Sequence, residues 1–91
     1  MNTDDNAMQK RLLNRLSRLE GQVRAVRRLV SESEDCEKVL QQMSAVRKAM
    51  DKAFYEVLAC VIEGEVAGDS APAASAETMD RVRLLLTRYA S

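Results

Sequence analysis

Leu12, Leu16, Leu19, Val23, Val26 and Val30 follow one another at intervals of four, three, four, three and four residues. That rhythm keeps all six on one stripe of an α-helix and on no single face of a strand. It is also the spacing of a helix that packs along its whole length. Val39, Met43, Val46, Met50, Ala53, Val57 and Val61 repeat the pattern further on. Leu40, Phe54, Leu58 and Ile62 widen this second stripe. The second stripe is broader than one neighbouring helix can cover, so burial against further copies is expected. The chain has a single proline, Pro72, which leaves both runs uninterrupted.

These patterns predict an all-α fold in one helical domain spanning residues 1–91. The first helix is expected over about residues 4–30, with Thr3 or Asp4 as its cap and Asp4 and Asp5 at the positive end of its dipole. Gly21 costs about 1 kcal/mol inside a helix, which suggests close approach of another backbone or side chain there, with a tolerated defect as the alternative. Ser31 to Asp35 forms a break, and Ser31 with Glu34 resembles a capping box, with Ser33 as an alternative cap. The second helix is expected over about 35–63. Residues 64–75, rich in Gly, Ala and Ser, read as a linker. The third helix is expected over about 76–89, with Met79, Val82, Leu86 and Tyr89 as its seam and Leu84 and Leu85 on a flank.

Ninety-one residues bury a modest fraction of their surface alone, so assembly is a natural remedy. No apolar run approaches the ~18 residues of a membrane span, and the N-terminus lacks the apolar core of a signal peptide. A cytoplasmic location is therefore expected, without membrane partners. The chain has no histidine, which removes the commonest general base and the commonest metal ligand together. No enzymatic activity is expected.

The chain is formally neutral, with 14 basic and 14 acidic residues. Yet half of the basic residues lie between Lys10 and Arg28, a stretch whose one acid is Glu20. Arg11, Arg15, Arg18 and Gln22 share one helical stripe beside the apolar seam. Arg47, Lys48 and Lys52 add charge near the middle of the second helix. A segregated basic surface of this kind suits phosphates, so double-stranded DNA is the expected partner. A solvated helix face is the plainer alternative. No helix-turn-helix, zinc-finger or basic-zipper pattern is present.

Cys36 heads the second helix and Cys60 lies near its end. Twenty-four residues at ~1.5 Å each separate them by about 36 Å, too far for a disulfide or a shared metal within one helix. Two copies of that helix packed antiparallel about Lys48 would bring Cys36 of one to the level of Cys60 of the other. The alternative is that both are small buried hydrophobes.

The blocks RLSRLEGQVRAV, DCEKVLQQMSAVRKAM and EVLACVIE, in that order, resemble the CsoR/RcnR/FrmR family of bacterial repressors. The resemblance rests on Arg15, Arg18, Gly21 and Gln22, on Cys36 heading the second helix, and on Val39, Leu40, Gln42, Ser44, Ala45 and Val46. It covers roughly residues 8 to 65. It implies an antiparallel helical dimer of three-helix protomers, assembled into a tetramer. It implies a repressor that leaves its operator when a small inducer reaches the cysteine site. By the same resemblance Arg15, Arg18, Gln22 and Arg47 form the DNA surface.

The inducer site departs from the family pattern. Metal-sensing members place a histidine where this chain has Val61, and often a cysteine or histidine where it has Glu65. Formaldehyde sensors pair the cysteine with an N-terminal proline amine, and here Asn2 follows Met1. Persulfide sensors use two cysteines from different protomers, and Cys36 with Cys60 of a second copy is closest to that logic. The sequence reading therefore favours a persulfide- or oxidant-type switch between protomers. A Cu(I)- or formaldehyde-responsive repressor is the alternative, with Cys36 and Cys60 as the thiolates for Cu(I). No resident cofactor is required in either case. A small chorismate-mutase-like enzyme using Arg11, Arg28 and Lys38 is a distant alternative, which would need its basic residues to line a pocket.

Overall fold

The computed structural model describes residues 6–68 and 75–90. Three helices account for nearly all of them: α1 (Asn6–Ser31), α2 (Cys36–Ala67) and α3 (Ala76–Tyr89). The expected caps at Thr3 and Asp4, and half of the expected linker (residues 69–74), lie outside the described residues.

The break between α1 and α2 is built differently from the expected capping box. Ser31 is the last residue of α1, and its Oγ donates to the Arg28 carbonyl at 2.9 Å. Ser33 takes the left-handed conformation, with φ 53°. The Ser33 amide donates to the Val30 carbonyl and the Glu34 amide to the Leu29 carbonyl. That pair of bonds is a Schellman closure, which needs one left-handed residue, a place usually taken by glycine. Asp35 then precedes α2 without a side-chain capping bond. The polar break thus ends the first helix rather than starting the second.

α2 continues to Ala67, four residues beyond the expected end near Glu63. Gly64 does not interrupt it. Glu65 lies on this added turn and pairs with Arg81 of α3 at 3.4 Å, which gives the extension a partner. α3 begins where expected, and Ser75 caps it: its Oγ accepts from the Thr78 amide at 3.1 Å.

α1 packs against α2, and α3 packs against the C-terminal half of α2. Among the described residues the backbones of α1 and α3 do not come within 8 Å of each other, Cα to Cα. The Cα trace measures 58 × 28 × 12 Å, long and thin. Its radius of gyration is 17.8 Å, against roughly 12 Å for a compact domain of this length. A single layer of helices cannot enclose a core. Among the described residues only Met8, Leu19, Ala53, Leu58 and Leu85 are buried apolar side chains, and none of these is fully enclosed.

The expected seams are therefore only partly covered. Leu19 is the one buried member of the α1 seam and Ala53 that of α2. In α3 the buried residue is Leu85, expected on a flank, while Met79, Leu86 and Tyr89 of the expected seam are exposed. The register is set by α2: Leu85 lines a groove with Phe54, Leu58 and Val61, and Phe54 meets Tyr89 edge-on with ring centres 6.4 Å apart.

Gly21 has no close neighbour inside the protomer. A methyl group built there would meet only the end of the Arg24 side chain, at 4.0 Å. The expectation of a close approach is not met within one chain. Gly21→Ala should accordingly stabilise α1 by about 1 kcal/mol, read as a higher midpoint in thermal unfolding. A lower midpoint, or loss of assembly, would mean that a second copy packs against this position.

Candidate functional site

Cys36 is the first residue of α2 and is exposed. At about 100° per residue, Leu40, Met43, Arg47, Phe54, Val61 and Glu65 fall within roughly 40° of it around the helix. Over the C-terminal half this stripe is covered by α3. There Val61 and Glu65 line a groove of about 370 Å³ with Phe54, Leu85, Arg81 and Tyr89. Over the N-terminal half it is bare. Cys36 opens into a shallow groove with Val30, Val39, Leu40 and Met43.

Cys60 is not on that stripe. It sits about 120° around α2 from Cys36, on the side of Gln42, Ala49 and Ala53 that α1 covers. It is half-buried. The two thiols of one chain thus differ in height along the helix, in direction and in access. Among the described residues no three His, Cys, Asp or Glu side chains gather in a way that could hold a metal ion.

Arg11, Arg15 and Arg18 are exposed on the edge of α1 that borders α2. Gln22 is half-buried, and its amide oxygen is shut off from solvent without a hydrogen-bond donor. Lys48 and Lys52 are exposed on the same side of the layer. Arg47 is exposed too, but it lines a groove with Val23, Val26, Leu40 and Met43 on the opposite, apolar side. The cluster expected near the middle of α2 is thus divided between two faces. None of these arginines lines an enclosed pocket of the kind a mutase needs. Arg28 and Lys38 are exposed as well, and Lys38 pairs with Glu34 at 3.4 Å.

One residue that sequence reasoning passed over joins the two long helices at the basic edge. Glu56 of α2 accepts a hydrogen bond from Arg11 Nε at 3.0 Å through Oε1. Its Oε2 lies 3.1 Å from Arg15 Nε, within ion-pair distance, although the angle does not make an aligned hydrogen bond. The Glu56 side chain is only 19% exposed. A signal was available in the sequence: Glu56 is the lone acid in the apolar run AFYEVLACVI.

A family profile described as metal-sensitive transcriptional repressor matches residues 8–88. The chain is 32% identical to the copper-sensing transcriptional repressor CsoR of Bacillus subtilis, over 82% of this chain and 79% of the relative. It is 30% identical to the transcriptional repressor RcnR of Salmonella typhimurium, over 88% and 89%. It is 34% identical to an uncharacterised protein encoded in the bioA 5′ region of Serratia marcescens, over 89% and 90%. No solved structure matches with significance.

Proposed function

Because the chain belongs to the family of metal-sensitive transcriptional repressors, we propose that it binds operator DNA as a multimer and is released when a thiol-directed inducer reacts at Cys36. Repressors of this family are not enzymes, and the metal that such a protein senses is an inducer rather than a resident cofactor. The observation that carries the reading is the two-sidedness of the layer. One side bears Arg11, Arg15, Arg18, Lys48 and Lys52, and the other bears exposed Leu16, Val23, Val30, Leu40, Met43 and Met50. The basic side suits phosphates. The apolar side suits a second copy of the same chain.

The need for that copy can be put as an area. The chain exposes 7101 Å², whereas a compact monomer of 10.2 kDa exposes about 5,300 Å². The excess is roughly twice what one partner buries in a standard interface. A dimer, and a tetramer formed from two dimers, are the assemblies that this surface supports.

Cys36 is the favoured sensing residue because it is exposed, heads α2 and shares its stripe with the uncovered apolar side chains. Its reaction would alter packing between copies, and α2 carries that change to Lys48, Lys52 and Glu56. Cu(I), sulfane sulfur, oxidants and formaldehyde all react with an accessible thiol. A second reading, a disulfide or polysulfide bridge from Cys36 to Cys60 of another copy, is favoured by the presence of a second cysteine on the same helix. Against it stands the orientation of Cys60 toward α1, so a bridge requires α2 to turn or α1 to move.

The test uses a duplex that the wild-type protein selects from a random-sequence pool. Its release is followed with Cu(I), sulfane sulfur, peroxide and formaldehyde. Cys36→Ser should abolish release by the effective inducer, and Cys60→Ser should leave it intact. Loss of release in Cys60→Ser, together with loss of a thiol-reversible covalent dimer on a denaturing gel, would establish the two-thiol bridge instead. A full response in Cys36→Ser would remove the cysteine from the mechanism.

A further inference from the structure

Glu56 stands out because removing it has two opposite expected effects. Its carboxylate is a negative charge at the centre of the basic edge, so simple electrostatics makes it an obstacle to phosphate. Its geometry says otherwise. Arg11 and Arg15 are one turn apart on α1, where two like charges repel. Glu56 reaches across from α2 and meets both by their Nε atoms, at 3.0 and 3.1 Å. Arg11 is held there by a hydrogen bond from its Nε, and Arg15 by charge attraction alone. The Arg11 and Arg15 side chains nevertheless stay 60% and 44% exposed, so neither is closed off from a ligand by the pairing. A guanidinium fixed in this way presents a planar fork that matches a phosphate, with less freedom left to lose on binding.

The contrast with the neighbouring cations supports this assignment. Among the described residues Arg18, Lys48 and Lys52 make no ion pair, so the acid is aimed at two of the basic residues and not spread over the face. Glu56 is also mostly withdrawn from water, which makes its pairing with the arginines less screened than a surface pair. It costs most when its cations are removed, because one carboxylate oxygen is then enclosed with nothing to neutralise it.

We propose that Glu56 is a positioning residue for DNA binding, holding Arg11 and Arg15 by their inner edges so that their terminal nitrogens meet successive phosphates of the operator. The role rests on the operator-binding reading above. It adds a residue from α2 to the DNA contact made by α1, and so gives α2 a direct grip on the phosphate-binding arginines. Glu56 lies one turn before Cys60 and on the helix that begins with Cys36. A shift or rotation of α2 therefore withdraws the carboxylate and releases both arginines together.

The experiment measures binding of full-length protein to the selected duplex and to an unrelated duplex, with thermal midpoint and oligomeric state recorded alongside. Glu56→Gln keeps the shape of the side chain and removes a negative charge. We expect it to weaken binding to the selected duplex by about tenfold, the scale of one charge-assisted contact. Glu20→Gln removes the same charge from an exposed site elsewhere on α1 and should leave affinity unchanged or slightly higher. In a background of Arg11→Gln with Arg15→Gln, Glu56→Gln should have no further effect. Arg15→Lys retains charge but loses the Nε edge, and should be impaired to a similar degree. This variant keeps the test decisive if Glu56→Gln does not fold.

Tighter or unchanged binding of Glu56→Gln with full affinity of Arg15→Lys would overturn the positioning role while leaving the repressor reading intact. Failure of the wild-type protein to select any duplex would overturn both.

Discussion

Leu40→Glu or Met43→Glu should dissociate the assembly at micromolar concentration and leave most of the chain unfolded. Leu40 is 65% exposed and Met43 50% exposed in the protomer, so in a monomer either substitution would be harmless. The layer has almost no core of its own, and on the proposed assembly its stability comes from covering the side that bears Leu16, Val23, Val30, Leu40, Met43 and Met50. A carboxylate placed there is buried without a partner in every copy, at a cost of about 3 kcal/mol or more for each. A domain of this size has only about 5–15 kcal/mol of stability to lose. Sedimentation velocity and far-ultraviolet circular dichroism at matched concentrations read both consequences. Leu13→Glu is the control, because Leu13 is also exposed but points away from this side, about 100° from Val30 around α1. If Leu40→Glu remained folded and kept its wild-type mass, the apolar side would not be an interface.

Arg18→Glu should reduce operator affinity by about tenfold for each copy that touches DNA, and should flatten its salt dependence. Arg18 is exposed and, among the described residues, carries no ion pair, so its charge is available to phosphate and its reversal breaks nothing in the protomer. Each phosphate left without its cation reduces the slope of log affinity against log salt by roughly 0.9. Arg15→Glu should do more than Arg18→Glu, because it also sets a second acid against Glu56. Arg47→Glu should lower affinity and assembly together, since Arg47 lines the apolar groove with Leu40 and Met43. Unchanged slopes in the Arg15 and Arg18 variants would exclude the α1 edge as the DNA surface.

Much of this architecture is legible in residue order. The two long stripes are spaced for helices, and α1 and α2 follow them closely. α3 begins at Ala76, as the sequence predicts. Arg11, Arg15 and Arg18 fall on one stripe because a helix repeats every 3.6 residues, and that requires no tertiary information. Local rules were less reliable at the break. Ser31, Ser33 and Glu34 could start a helix or finish one, and the carbonyls at the end of α1 took them.

The sequence by itself determined which residues are helical and which share a stripe, because both follow from periodicity along one chain. It did not determine which edge of a wide stripe another helix covers. Leu85 and Leu58 are buried, while Leu86, Met43 and Leu40 remain exposed, because α1 and α3 occupy only two sides of α2. It did not determine that Arg47 lies across the layer from Lys48 and Lys52, nor that Cys60 turns toward α1 while Cys36 faces outward. Nor did it join Glu56 to Arg11 and Arg15, which are 45 and 41 positions away in the chain. Those outcomes depend on how far one helix is rotated against another, and that angle is fixed by side chains meeting across the interface. Periodicity carries the direction of each residue around its own axis, and only packing fixes what stands in that direction.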